Sequence, residues 1–210
     1  MSRLLWMPAG DSITVGTGDT VPGGWRAGVV RGKLWDGLPW RSCGLTLTTT
    51  LGEGRMCGTN GLTVAEIADA LALQAPLWLN DPTRTSIVDL TAGTNDTTQL
   101  ATGGTPTVAT SMTNYTALLD ALFATRVTTV FVGLPVYHST YPTGISTFNA
   151  SLNPLLLARS EYTSGRLRIV DLYTTLGTDA ANFDSPGHPG VVGNALCATA
   201  WNTAHTAAGY

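Results

Sequence analysis

The run Thr128-Thr129-Val130-Phe131-Val132-Gly133-Leu134 is β-branched or apolar at nearly every position. A strand with one face in water alternates polar and apolar residues. An unbroken run belongs in a strand buried on both faces, and that means a parallel sheet covered by helices on both sides. Short runs of the same kind open the chain at Leu4–Met7, where Pro8 is expected to end the strand, and recur at Ser86–Thr91 and Leu167–Leu172. An alternating stretch, Leu45–Leu51, reads as an edge strand. Between them lie segments with helical spacing. Trp25–Trp35 comes first, then Thr63–Leu73 with Val64, Ile67, Ala68 and Leu71 on one stripe. Ser111–Arg126 carries Tyr115, Leu118, Leu119 and Leu122, and Pro154 is expected to kink or divide Ile145–Tyr162. Val191–Thr206 closes the chain and is expected to pack Val192, Leu196 and Trp201. Strand–helix alternation of this kind predicts a three-layer α/β/α sandwich with a central five-stranded parallel sheet, in one domain over residues 1–210.

The length of 210 residues is enough for a substantial core without disulfide staples. Only 12% of residues are charged, the formal net charge is -3, and Lys33 is the single lysine. That balance argues against nucleic acid or an anionic membrane as a partner. No apolar stretch approaches the roughly 20 residues that span a bilayer. The first strand begins almost at once, so no signal peptide is expected ahead of it. A surface rich in Thr, Gly, Ser and Asn is the composition of an extracellular or virion-borne protein. Cys43, Cys57 and Cys197 form no CxxC pair and no metal-ligand spacing with the three histidines, so no metal is expected. Cys43 and Cys57 flank a loop short enough for a disulfide, worth about 3 kcal/mol if formed. Cys197 reads as a small buried hydrophobe.

In a parallel sheet every strand ends at the same edge, and ligands bind in the crevice outside those ends. The groups following the successive strands are Ser12, Gly61, Asn95, Tyr137–His138 and Asp184–His188. A serine, a histidine and preset amide donors are what hydrolytic acyl transfer requires. The serine attacks a carbonyl, the histidine takes and returns the proton, and the donors receive the charge that develops on oxygen. The Ser12 amide, the Gly61 amide and the Asn95 side chain are the three candidate donors. His205, one helical turn after Trp201, reads as a packing residue, and Asp96 as a loop support or cap.

Four blocks in this order resemble the SGNH (GDSL-type) hydrolases, and the resemblance covers nearly the full chain. Gly10-Asp11-Ser12-Ile13-Thr14 is similar to the first block, which implies Ser12 as nucleophile. Gly61-Leu62-Thr63-Val64-Ala65-Glu66-Ile67 is similar to the second and places the oxyanion glycine at Gly61. Gly93-Thr94-Asn95-Asp96 matches the third, with Asn95 in the oxyanion hole. His188-Pro189, followed by Gly193, is similar to the fifth, with His188 as the base. The resemblance implies a flavodoxin-like sheet and no metal or organic cofactor. Gly23-Gly24-Trp25-Arg26, with the Gly-Leu-Thr helix start, is most similar to the carbohydrate acetylesterase branch, including acetylxylan esterases.

One position departs from the pattern. The family carries Asp three residues before the histidine, and here that residue is Ser185. Asp184 is expected to complete the triad if a turn at Pro186-Gly187 carries its carboxylate to His188. Otherwise the site is a dyad whose histidine is oriented by a backbone carbonyl. Candidate substrate contacts are Asp11, Trp25, Thr94, Tyr137 and His138. The expected activity is removal of small acyl groups, chiefly acetyl, from a carbohydrate, by a protein taken as monomeric. The alternatives are a lipid-type esterase or thioesterase with a broader acyl range, and a catalytically silent glycan-binding scaffold.

Overall fold

The computed structural model describes residues 4–15, 24–35, 40–42, 46–47, 55–58, 61–101, 103 and 106–210; side chains are not described at 30–35, 40–42, 46–47, 55, 56 and 58. The first half contains β1 (Leu4–Gly10), α1 (Ser12–Val15), α2 (Gly24–Trp35), β2 (Trp40–Ser42), β3 (Thr46–Leu47), β4 (Arg55–Gly58) and α3 (Val64–Leu79). Then follow β5 (Thr85–Thr91), α4 (Thr94–Ala101), α5 (Val108–Phe123), β6 (Thr129–Gly133), α6 (Pro142–Leu157), α7 (Ser160–Thr163) and β7 (Leu167–Val170). The chain continues through α8 (Leu172–Leu176), the hairpin β8 (Phe183–Ser185) and β9 (His188–Pro189), and α9 (Val191–Ala207).

The five strands β4-β1-β5-β6-β7 run parallel in that order, the doubly wound flavodoxin-like arrangement. β2 also pairs parallel with β1, at Leu4–Trp6, and β3 closes the edge antiparallel to β4. Alternation along the strands separates two cores. Met7 and Ala9 of β1 and Val130 and Val132 of β6 join Ile67, Leu71, Tyr115, Leu118 and Phe148 from α3, α5 and α6. Trp6 and Phe131, one residue out of phase, face Trp25, Val29, Cys197 and Trp201 from α2 and α9. Trp25 and Trp201 stack at 5.1 Å and 28°, a geometry worth about 0.5–1.5 kcal/mol beyond its buried area.

Several boundaries differ from the sequence reading. Pro8 does not end β1, which continues to Gly10. It pairs with Asp89 of β5 and falls between the stretches of β1 paired to β2 and to β4. Of the edge strand expected over Leu45–Leu51, the described residues include β3 at Thr46–Leu47, and 45 and 48–51 lie outside them. The fifth parallel strand is instead β4, inside a Gly-rich stretch that carries no periodic signal. Helix α3 continues past Pro76, because Leu71, Ala75 and Leu79 are buried beneath it. Helix α6 likewise runs through Pro154, and the break comes at Ala158–Arg159. On α9 the buried face is Cys197, Ala198, Trp201 and His205, while Val192 and Leu196 are exposed. The Cys43–Cys57 bridge lies outside the described residues at Cys43. Cys57 is a buried free thiol that burial pushes up to about 12.

Candidate active site

Ser12 stands just past the end of β1, in a turn lashed to the next strand. Gly10 has φ +147°, and a Cβ there would run into the Thr91 carbonyl at the end of β5. The Thr14 hydroxyl bonds the Thr91 hydroxyl and, at 3.3 Å, the Ala9 carbonyl. Asp11 accepts from the Ile13 amide at 3.0 Å. Ser12 is therefore held by contacts on both sides of it in the chain and by the neighbouring strand.

His188 reaches the same point from the other end of the chain. Its Nε2 lies 2.9 Å from Ser12 Oγ. Its Nδ1 lies 3.3 Å from the Pro186 carbonyl and 3.3 Å from Ser185 Oγ. A carbonyl only accepts, so the Pro186 contact places the proton on Nδ1 and leaves Nε2 to accept from the serine hydroxyl.

Asp184 does not join them. Among the described residues its carboxylate makes no hydrogen bond to His188; it lies against Gly190, where a Cβ would strike Oδ1. The reason is the hairpin register. Ser185 pairs with His188 and Phe183 with Pro189, leaving Asp184 at the irregularity between them. Successive strand residues face opposite ways, so Ser185 shares the histidine's face and Asp184 does not.

Asn95 sits in the first turn of α4, and its Nδ2 donates to the Leu62 carbonyl at 2.9 Å. That bond uses one of the two amide hydrogens, fixes the side chain's direction and ties α4 to the segment that follows Gly61. Gly61 is exposed with φ +79°. Two residues later Thr63 caps α3 in a reciprocal box, its amide donating to Glu66 at 2.8 Å and its hydroxyl accepting from the Glu66 amide at 3.5 Å. Gly93, with φ +115°, lies so close to Phe148 that a Cβ would collide with the ring.

The candidate substrate contacts divide sharply. Trp25 is fully buried between Trp6 and Trp201, so it offers no surface to a ligand. Asp11 is fully buried and Thr94 nearly so, which places both beneath the site. Tyr137 and His138 remain half-buried beside it. The His138 ring covers Gly187, tilts against Tyr141 at 4.9 Å, and accepts from the Thr140 amide at 3.3 Å. Burial, and then the nearby His188, lower its proton affinity. A cavity of about 220 Å³ beside the histidine turn is lined by Tyr137, Ser139, Thr178, Phe183, Ser185 and Gly187, none of them charged. The sequence reading allowed for a backbone carbonyl in this role but did not single out Pro186, because a backbone atom leaves no mark in residue types.

No protein-family model matches the sequence, and no curated protein does. Solved structures match over almost the whole chain. A family 3 carbohydrate esterase of Clostridium thermocellum is 25% identical, with 99% of this chain and 100% of that one covered at a TM-score of 0.73. A family 3 carbohydrate esterase from Talaromyces cellulolyticus is 21% identical, covering 99% and 97% at 0.76. A member of the lipolytic G-D-S-L family from Veillonella parvula is 20% identical, covering 97% and 98% at 0.70. The chain has the fold of these esterases and G-D-S-L proteins, as the resemblance of its four blocks to the SGNH (GDSL-type) hydrolases implies. Two of these three neighbours are family 3 carbohydrate esterases. No helix among the described residues is long and apolar enough to cross a membrane.

Proposed function

We propose that this esterase removes small acyl groups, chiefly acetyl, from a carbohydrate, through an acyl-enzyme on Ser12. The observation that carries the reading is the 2.9 Å contact between Ser12 Oγ and His188 Nε2, with Nδ1 closed by a carbonyl. Ser12 Oγ attacks the ester carbonyl while His188 Nε2 takes its proton. The C–O bond to the sugar then breaks, and the imidazolium returns the proton to the departing sugar oxygen. Water, activated by the same Nε2, hydrolyses the acyl-enzyme to release acetate and the free serine. The Ser12 and Gly61 amides and the second Asn95 amide hydrogen receive the oxyanion in both halves. Each such donor is worth about 10²–10³ in turnover. The ring is oriented by the Pro186 carbonyl, so the site works as a serine–histidine dyad.

Carbohydrate as the acyl carrier is supported by the likeness to the Clostridium thermocellum family 3 carbohydrate esterase. The uncharged, hydroxyl-bearing cavity between Tyr137 and Phe183 suits a neutral polyhydroxylated group. The sparsely charged composition accords with an extracellular or virion-borne setting.

The test is hydrolysis of p-nitrophenyl acetate, butyrate and octanoate by wild type and Ser12→Ala, followed by release of acetate from acetylated xylan. Acetate is expected to be the best of the three esters, and Ser12→Ala to abolish all three. A rate that climbs from acetyl to octanoyl overturns the small-acyl reading. An active Ser12→Ala overturns the nucleophile.

A further inference from the structure

His188 is held differently on its two sides. Hydrogen bonds fix the chain that follows it. Asn194 Nδ2, in the first turn of α9, donates to the Pro189 carbonyl at 2.8 Å, and the Gly190 amide donates to the Asn182 carbonyl at 2.9 Å. The chain that precedes it is the Pro186-Gly187 turn. Among the described residues, no hydrogen bond reaches those two residues from another element.

Ring packing meets the turn instead. Ser185 and Pro186 are exposed, yet Gly187 is buried. The His138 ring occupies the place of its missing side chain: a Cβ there would overlap Cδ2 and stand 3.1 Å from Nε2. The ring is itself fixed, since the Thr140 amide donates to Nδ1 at 3.3 Å and the Tyr141 ring lies against it at 4.9 Å. One residue earlier, Tyr137 stands edge-on to Phe183 of β8 at 6.2 Å. The loop that carries both is anchored in α6. Tyr141 is the N-cap of that helix, and the buried Asn149 donates to the Pro135 carbonyl at 2.9 Å. The loop between β6 and α6 therefore grips the hairpin at its first strand and at its turn.

The grip matters because the group that orients His188 lies inside the turn. The Pro186 carbonyl belongs to the peptide joined to Gly187, whose φ is +78°. Glycine accepts φ of either sign, so a peptide beside it flips at little cost. A flip carries the carbonyl away from Nδ1, and the imidazole then loses the acceptor that keeps Nε2 unprotonated and aimed at Ser12.

We propose that His138 is a positioning residue, whose ring, packed on Gly187, holds the Pro186–Gly187 peptide with its carbonyl on His188 Nδ1. The inference rests on the proposed dyad of Ser12 and His188. His138 takes no proton in the reaction. It supplies by packing the constraint that a carboxylate supplies in a triad.

The test compares His138→Ala and His138→Phe with wild type on p-nitrophenyl acetate. His138→Ala is expected to lower kcat by about tenfold or more and to change KM by less than about twofold, since an ill-aimed base slows chemistry without weakening binding. His138→Phe keeps a ring over Gly187 without the imidazole nitrogens, and is expected to stay within about threefold of wild type. An unchanged kcat in His138→Ala overturns the proposal. So does an equal loss in His138→Phe, which would place the imidazole in the chemistry. Proton NMR reads the orienting bond itself. The His188 Nδ1 proton is expected to exchange with water faster in His138→Ala than in wild type, and equal exchange overturns the proposal. Wild type alone gives a check that no variant's folding can spoil: a nuclear Overhauser effect between His138 Hδ2 and the Gly187 α protons is expected, and its absence overturns the packing. Phosphonate labelling of Ser12 keeps the two readings apart. If wild type takes the label and His138→Ala equals it in labelling rate and kcat, the His138 proposal alone is defeated. A wild type that takes no label and turns over no ester defeats the dyad and the proposal with it.

Discussion

Asp89 on β5 and His205 on α9 meet at 2.8 Å in the core, where neither side chain has more than 1% of its surface exposed. The other carboxylate oxygen accepts from Trp6 Nε1 at 2.7 Å, and the Phe131 ring stands edge-on to the imidazole at 4.7 Å. The pair sits on the opposite core from the Asp11 carboxyl under the active site and ties the last helix to the sheet. Removing His205 leaves one Asp89 oxygen buried without its partner, at a cost of about 1–3 kcal/mol. His205→Ala is therefore expected to lower the urea midpoint steeply, while kcat of the molecules that remain folded stays near wild type. A variant that keeps its midpoint and loses activity would place His205 in the chemistry instead.

With His188 Nδ1 on the Pro186 carbonyl, Asp184 is expected to be dispensable. Asp184→Asn is expected to lose no more than about threefold in kcat, against the roughly 10⁴ that loss of a triad aspartate costs. Ser185→Asp sets a carboxylate on the histidine's own face of the hairpin, where Ser185 Oγ already stands 3.3 Å from Nδ1. That variant is expected to raise kcat, by on the order of two- to tenfold. Steady-state kinetics on p-nitrophenyl acetate decide both.

Gly187 faces two obstacles to substitution. Its φ of +78° disfavours any Cβ, and the His138 ring already fills the space a Cβ would take. Gly187→Ala is expected to displace the His188 turn and cost more than about tenfold in kcat, as misplacement of a catalytic group by an ångström commonly does. Adding His138→Ala removes the collision but leaves the backbone strain, so the double variant is expected to recover part of the rate. Equal activity in the single and double variants would show that the ring contact is immaterial.

Asp11 leaves a signature in stability. Unfolded, it ionises near the ordinary value of 3.8; folded, it holds its proton up to about 7. Between those values the unfolded chain sheds a proton that the folded chain keeps. Wild type therefore loses stability as pH rises from about 4 to about 7 and levels off above that. Asp11→Asn has no such group, so its unfolding free energy relative to wild type is expected to improve across that window. The limit is about 4 kcal/mol, the equivalent of some three pK units. Chemical denaturation at pH 4, 5.5, 7 and 8.5 measures it, and a difference that does not change with pH refutes the assignment.

What could be read without coordinates is what depends on local pattern. Unbroken apolar runs mark strands buried on both faces, and 3.6-residue spacing marks the helices laid over them, so the layered fold follows from periodicity alone. The same logic placed Ser12, Asn95 and His188 at one sheet edge, because parallel strands must deliver their following loops to the same side. It failed where no period exists. Strand β4 lies in a Gly-rich segment, and α4 begins at Thr94 in polar sequence that resembles a loop.

Tertiary structure alone decided how the site is closed. Whether Asp184 or a carbonyl meets His188 turns on a one-residue register in a short hairpin, and residue types do not encode which way a carboxylate faces. Trp25 and Asp11, both in motifs that resemble functional blocks, proved to be core residues, because burial depends on which distant helices cover them. The tie of Asp96 to the Val64 amide and the Ser111 hydroxyl, residues far apart in the chain, arises only when α3, α4 and α5 are brought together. Sequence determined which chemical groups reach the edge of the sheet. Folding determined which of them touch, since hydrogen bonds form over ångströms that only packing sets.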